Sequence, residues 1–235
     1  MLEMPIPAVL QGRFISLAPL DLEADSDELF AISHADERAK SLFTYLPRGP
    51  FDGADDLKQF FTAWCSDPAV MAFVVRDRTT KAALGTLSLM SVRPEHGVAE
   101  IGNVWYAPAA QRTKTNTESV YLLLRYCFEQ FRYRRIEWKC DTRNRPSGMA
   151  ALRLGFSFDG IFRQHMIVRG RNRDTAWFSM LDDQWPTRRV ALENWLYGEH
   201  PKPLSEVHAA TLPYKRECAV ISEISATKKQ NCLED

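Results

Sequence analysis

The apolar periodicity of the chain changes abruptly between residues 98 and 131, and no other feature constrains the fold as much. Val98–Tyr106 reads as a strand. Its two-residue alternation puts Glu100, Gly102, Val104 and Tyr106 on one face, with Asn103 and Trp105 on the other. Val120, Leu123, Leu124, Cys127, Phe128 and Phe131 then fall at i, i+3, i+4, i+7, i+8 and i+11. That spacing is one apolar stripe on a helix of about four turns. Arg132, Arg134 and Arg135 follow at its end, where cations favour the negative pole of the helix dipole. A strand over Ile136–Cys140 comes next, so the stretch is a β–α–β crossover, the connection that joins parallel strands.

The flanking segments read differently. Residues 13–18 form a first strand closed by Pro19, and Asp21 opens a helix-like stretch carrying Leu22, Leu29, Phe30 and Ile32. Asp52–Cys65 is a second helix, acidic at its start and apolar at Leu57, Phe60, Phe61 and Trp64. Met71–Arg76, Ala82–Val92 and Val98–Tyr106 are strands linked as hairpins through Asp77–Lys81 and Arg93–Gly97. Beyond the crossover, a short helix runs from about Pro146 to Leu154 and stops at Gly155. Phe156–Val168 and Thr175–Leu181 pair around Gly170, and residues 182–200 form a closing helix with Val190, Leu192, Trp195 and Leu196. The expected class is α/β (α+β): a mixed, mainly antiparallel sheet of six to seven strands with a central splayed parallel pair, flanked by about four helices. A single domain is expected over 1–200, followed by a polar, pattern-poor tail over 201–235 that is loosely ordered.

Composition narrows the function. Among 235 residues, Lys and Arg total 30, as do Asp and Glu, which gives no net charge. Non-specific nucleic-acid binding needs a positive surplus, so it is not expected. No apolar run approaches the roughly 20 residues that cross a bilayer, and Met1–Gly12 lacks the basic start of a signal peptide. The five cysteines, Cys65, Cys127, Cys140, Cys218 and Cys232, are odd in number and form no CxxC pair. Free thiols and a reducing, cytoplasmic location are therefore expected. The histidines show no ligand spacing, so no metal is expected.

Chemistry concentrates in the loop Ala107–Glu118, between the strand and the striped helix. A helix N-terminus offers backbone N–H groups and a positive dipole end to phosphate. Arg112 and Lys114 add charge, and Thr113, Thr115 and Thr117 add hydroxyls. Neither G-x-x-x-x-G-K-[ST] nor G-x-G-x-x-G occurs, which disfavours nucleoside triphosphates and dinucleotides. A solvated turn capped by a threonine is the alternative reading of this loop alone.

Ala99-Glu100-Ile101-Gly102, the loop from Gln111, Asn144-Arg145-Pro146-Ser147, Leu154-Gly155-Phe156 and Arg169-Gly170-Arg171-Asn172-Arg173-Asp174 occur in this order. As an ordered set, from about Gly12 to Pro186, they resemble the GCN5-related N-acetyltransferase (GNAT) superfamily. Within it they are most similar to the RimJ/RimL-like ribosomal-protein N-acetyltransferase group. The resemblance implies an acetyl-CoA-dependent N-acetyltransferase that transfers acetyl directly to a primary amine of a small molecule or amino-acid-like acceptor. A protein N-terminus is the alternative acceptor, and a non-catalytic binding module on the same fold is the alternative class. It also admits a homodimer. It implies that Gln111, Arg112, Thr113, Lys114, Thr115, Asn116 and Thr117 hold the coenzyme A pyrophosphate, and that the backbone of Val104, Trp105 and Tyr106 runs beside the pantetheine. Glu100 would be the general base, Asn144 would contact the pantetheine arm, and Ser147 would donate to the departing thiolate. Read without the resemblance, Glu100 is a strand glutamate facing an arginine, Asn144 ends a strand, and Ser147 opens a helix. The chain departs from the family's pattern at Lys114 and Asn116, where glycines let the backbone approach the phosphates. The segment Ala39–Phe51 would govern acceptor choice.

The remaining candidates read as structural. Glu137 and Asp141 share a strand face and are expected to be solvated, Asp174 braces the last hairpin, and Arg163, His165, Arg169, Arg171 and Arg173 form a solvated basic edge. Trp105, Tyr106, Trp138 and Phe156 read as core. Cys127 and Cys140 have no flanking histidine and are not nucleophiles.

Overall fold

The computed structural model describes residues 2–199, 202–204, 206 and 219–221. Two compact units are present, Met1–Ile136 and Glu137–Asp235.

The first unit holds β1 (Leu10–Gln11), β2 (Ile15–Pro19), α1 (Leu22–His34), α2 (Glu37–Lys40), α3 (Ala54–Cys65), β3 (Met71–Asp77), β4 (Ala83–Arg93), β5 (Val98–Tyr106) and α4 (Thr115–Arg125). Strands β1 to β5 lie side by side in chain order, each antiparallel to the next. Leu29 of α1 and Leu57 and Phe61 of α3 pack with Val74, Ala83 and Trp105 of the sheet into one buried cluster. The stripe of α4 is buried as its spacing predicts, with Val120, Leu123 and Leu124 shielded. The helix does not continue as α through four turns. It passes into a π turn over Tyr126–Gln130, beyond which the Tyr133 hydroxyl donates to the Glu3 carbonyl at 3.2 Å. The Tyr126 hydroxyl donates to the Ile6 carbonyl.

The second unit contains most of β6 (Arg135–Asp141), α5 (Arg145–Leu154), β7 (Ser157–Val168), β8 (Arg171–Leu181) and α6 (Trp185–Tyr197). Strand β8 lies between β6 and β7. Gly155 ends α5 at φ +97°, the left-handed geometry that a glycine takes without penalty. Strand β8 starts four residues earlier than its alternation suggests. Arg169 and Gly170 both adopt positive φ, which makes a two-residue hairpin turn, and Val168 pairs with Arg171 directly across it.

The class is the expected mixed α/β fold with a mostly antiparallel sheet, and β5–α4–β6 is its crossover segment. The described residues contain eight strands rather than six to seven, and six α-helices rather than about four. Two-residue β1 and single-turn α2 are too short to leave a periodic pattern. Most of 201–235 lies outside the described residues, while Leu204 and Ile221 within it are buried at 2% and 4% exposure.

Candidate active site

Strand β5 is irregular where chemistry was expected. Thr86 and Ser88 of β4 are two residues apart, yet their partners Trp105 and Gly102 are three apart. The extra residue on β5 is accommodated at Asn103, with φ +50°, a conformation that Asn tolerates better than most side chains. The bulge overturns the strict alternation predicted from the sequence. Trp105 falls on the same face as Glu100 and Gly102, and its ring joins the α1–α3 core. A second irregularity lies on β4, where Met90 pairs with Glu100 and Arg93 with Val98, with Ser91 at φ +49°. Glu100 therefore sits between two bulges. Its carboxylate is buried, at 7% residue exposure, and accepts from the Ser91 hydroxyl at 3.4 Å. Asn103 was not singled out by pattern, although a Gly-Asn pair inside a strand is a bulge signal. Its buried Nδ2 has no hydrogen-bond partner among the described residues.

The loop after β5 is ordered by its own hydroxyls and amides. Gln111 Nε2 donates to the Tyr106 carbonyl at 3.2 Å. Thr113 Oγ1 donates to the Ala110 carbonyl at 2.7 Å and accepts from the Thr115 N–H at 3.2 Å. Lys114 precedes the first turn of α4 at φ −73° and ψ −11°. That is ordinary right-handed backbone, which any residue adopts. Asn116 lies inside the helix, and Thr115 and Thr117 are buried. The left-handed position is instead Arg112, at φ +61°. The Lys114 ammonium stands 4.6 Å from the Phe14 ring centroid. Asn116 Oδ1 is buried without a hydrogen-bond partner among the described residues.

Glu118, one turn into α4, is the residue that pattern reading passed over. It is fully buried, and its carboxylate accepts the N–H groups of Arg13, Phe14 and Ile15, each at 2.8 Å. In sequence it looks like one more first-turn acid suited to the helix dipole. Its partners lie 103 to 105 positions away, beyond the reach of any local pattern.

In front of β5, the segment expected to govern acceptor choice is an aromatic cluster. The His34 ring stacks on Phe30 at 4.3 Å. Phe43 stands 5.4 Å from Phe51 and 6.0 Å from Trp105. His34 Nε2 accepts the Phe51 N–H at 2.8 Å, which leaves Nδ1 as the protonated nitrogen, facing Ser33 Oγ at 2.8 Å. Burial holds the His34 pKa below its ordinary 6.5, the Phe30 carbonyl opposes that, and the Lys40 charge adds to it.

In the second unit, Asn144 caps α5 through Oδ1, which accepts the Ser147 N–H at 3.2 Å. Ser147 Oγ accepts from the Trp138 indole at 3.0 Å. Burial pushes the Cys140 thiol up to about 12, with the Ser147 hydroxyl opposing the shift. Burial also raises the Cys127 thiol well above its ordinary range, so neither thiol ionises near neutral pH. Glu137 and Asp141 are not solvated as expected: each is about 5% exposed. Glu137 pairs with Lys139 at 3.3 Å, and Asp141 takes a bidentate grip from Arg143 at 2.7 and 3.0 Å. Asp174 braces the hairpin as expected, accepting from Gln164 N–H at 2.8 Å and Asn172 Nδ2 at 2.9 Å. Trp105, Tyr106, Trp138 and Phe156 are all buried. No cluster of metal-ligating side chains occurs among the described residues.

Comparison with known proteins gives consistent matches. A family profile described as an acetyltransferase (GNAT) domain matches residues 15–157. The crystal structure of a GCN5-related N-acetyltransferase from Brucella melitensis superposes with a TM-score of 0.83 at 38% identity, covering 88% of this chain and 97% of that chain. YoaA of Bacillus subtilis (strain 168), an uncharacterized N-acetyltransferase, is 25% identical over 159 residues, which are 68% of this chain and 89% of YoaA. The structure of Mycobacterium smegmatis RimJ in complex with CoA-disulfide shares the fold, with a TM-score of 0.66 at 19% identity over 80% of this chain and 93% of that chain.

Proposed function

The chain belongs to the acetyltransferase (GNAT) family, and from that premise we propose that it transfers acetyl from acetyl-CoA directly to a primary amine, with Glu100 as the base. The observation that carries this reading is one continuous segment of the first unit. It places a buried carboxylate on a bulged strand, followed by a helix N-terminus whose approach loop is held by its own threonines. The residues fit the donor. Lys114 keeps right-handed backbone without glycine, and the orphaned amide atoms of Asn103 and Asn116 are buried polar groups of the kind that a ligand's amides satisfy.

Acetyl-CoA supplies an activated acyl carbon and a thiolate leaving group. Before attack, the acceptor must lose a proton, since an alkylammonium is the dominant form near neutral pH. Glu100 takes that proton. The nitrogen lone pair forms the new C–N bond as the C–S bond breaks. The proton held by Glu100 passes to the departing sulfur, and the second proton shed by the acylated nitrogen leaves to solvent through the freed Glu100 carboxylate. Ser147 and Asn144 are proposed to support the thiol and the pantetheine arm, as the family's pattern implies. The buried, unionised cysteines favour direct transfer over an acyl-cysteine route.

A small or amino-acid-like amine is the proposed acceptor, chosen by the segment in which Phe43 and Phe51 pack about His34. A protein N-terminus is the second reading, favoured by the RimJ/RimL-like motif order. The deciding experiment is a thermal melt with excess acetyl-CoA, then a thiol-release assay over small amines and N-terminal peptides. Binding to the folded state adds about 2.7 kcal/mol of stability at a hundredfold excess over the dissociation constant. A folded protein whose melt does not move with acetyl-CoA would remove the donor site and leave a binding module on this fold. Thiol release with peptides and none with small amines would transfer the assignment to the second reading.

A further inference from the structure

Beside the local hydrogen bonds of Gln111 and its threonines, the donor loop is tied to a distant segment of the chain. Between the end of β1 at Gln11 and the start of β2 at Ile15 the chain bends. There the N–H groups of Arg13, Phe14 and Ile15 all converge on the Glu118 carboxylate at 2.8 Å. A fully buried carboxylate is costly unless hydrogen-bonded, and three amide donors supply that compensation. The bend is shaped for the acid: a methyl group at Gly12 would come within 2.6 and 2.8 Å of the two carboxylate oxygens. From there the contacts close into a circuit. Phe14, fixed through its N–H, offers its ring to the Lys114 ammonium, and the Lys114 carbonyl accepts the Glu118 N–H at 2.9 Å.

We propose that Glu118 is the positioning residue of the donor loop, fastening residues 12–15 to the first turn of α4 and thereby setting the shape in which that helix N-terminus receives the coenzyme's phosphates. The proposal rests on the acetyl-CoA reading above. Glu118 touches no reacting atom; it acts through Phe14, Lys114 and the helix start. Its acid is specific to the task. A glutamine keeps one accepting oxygen but sets an NH2 in place of the other, against at least one of the three N–H donors, and an aspartate is one methylene too short to span the same gap.

The test is Glu118→Gln in the full chain, measured at 25 °C where circular dichroism shows it folded. Hydrogen bonds to a charged group are worth enough that the dissociation constant for coenzyme A is expected to rise about tenfold or more. The KM for acetyl-CoA should rise with it, while kcat at saturating acetyl-CoA stays within about twofold of wild type. Amide exchange without ligand should quicken at residues 113–117. Gly12→Ala, a milder lesion that crowds the carboxylate, is the substitute if Glu118→Gln does not fold, and should give the same split with a smaller rise. Folded variants that bind coenzyme A as wild type does, or that lose kcat instead of affinity, overturn the proposal. If wild-type protein itself fails to bind coenzyme A, the donor reading falls. Exchange then judges the brace alone, and acceleration confined to residues 12–15 overturns it as well.

Discussion

The donor loop and the aromatic front segment belong to the same unit but are held in different ways. The loop from Gln111 to Glu118 is fixed by directional hydrogen bonds: Thr113 to Ala110, the Thr115 N–H to Thr113, and Glu118 to three successive peptides. The front, from Ser33 to Phe51, is fixed by ring packing around a neutral histidine, with one hydrogen bond to the Phe51 N–H as its latch. Directional bonds specify one geometry for an invariant group such as a pyrophosphate. Stacked rings have shallow preferences and re-pack, which suits a surface that must accept one amine and refuse another. Donor recognition and acceptor choice are thus assigned to two kinds of force.

The largest expected effect lies between these regions. Glu100→Gln should lower kcat by about a hundredfold or more, the usual weight of a positioned general base. Coenzyme A affinity should remain within about twofold, because the donor loop is untouched. Isothermal titration beside steady-state kinetics separates the two, and a variant with wild-type turnover would remove Glu100 from the mechanism.

Next in size is the latch. His34→Ala leaves the Phe51 N–H without its acceptor and should cost about 1–3 kcal/mol of stability, read by urea denaturation, with little change in coenzyme A affinity. The same residue gives the front a pH dependence. Because the folded pKa of His34 lies below 6.5, its contribution is fully present above that value. It is lost as pH falls below 6.5 toward the folded pKa, since the unfolded chain takes up the proton first. A fall in wild-type stability between pH 7.5 and 5.5 that persists undiminished in the variant would assign the dependence to other groups.

A third variant asks whether a structural cap also serves the donor. Asn144→Asp keeps the oxygen that caps α5 and removes the Nδ2 donor. The melting temperature should hold within a degree or two, while the KM for acetyl-CoA rises several-fold, of the order of one lost hydrogen bond. Unchanged kinetics would reduce Asn144 to a helix cap.

The contrast also explains what could be read from the sequence. Elements with a sustained period were legible: the α4 stripe, the β3–β4–β5 hairpins and the crossover. The faces of β5 were not, because a single extra residue at Asn103 reverses the alternation and carries Trp105 to the side of Glu100. Glu118 was hidden for another reason. Nothing near it in sequence marks a carboxylate whose partners are the peptides of residues 13–15. Glu137 and Asp141 looked like solvated strand charges because their pairing with Lys139 and Arg143 depends on side-chain direction and burial, which composition does not carry. Periodic elements were readable, whereas non-local backbone contacts, bulge geometry and side-chain pairing were not.

The smallest effect tests the departure that made the donor site doubtful on sequence grounds. If the family's glycines serve to allow a left-handed backbone, restoring one with Lys114→Gly should tighten coenzyme A binding markedly. The observed geometry argues otherwise. Lys114 has φ −73°, which any residue adopts, and the left-handed burden falls on Arg112 at φ +61°. A glycine at 114 would gain little from backbone freedom, lose the contact with Phe14, and loosen the entry to α4 by about the ordinary glycine penalty of 0.5–1 kcal/mol. The expected change in the coenzyme A dissociation constant is a weakening of no more than about threefold to fivefold. A tenfold gain in affinity would instead mean that the lysine side chain obstructs the phosphates, and the circuit of Glu118, Phe14 and Lys114 would then be holding back an impediment rather than shaping a site.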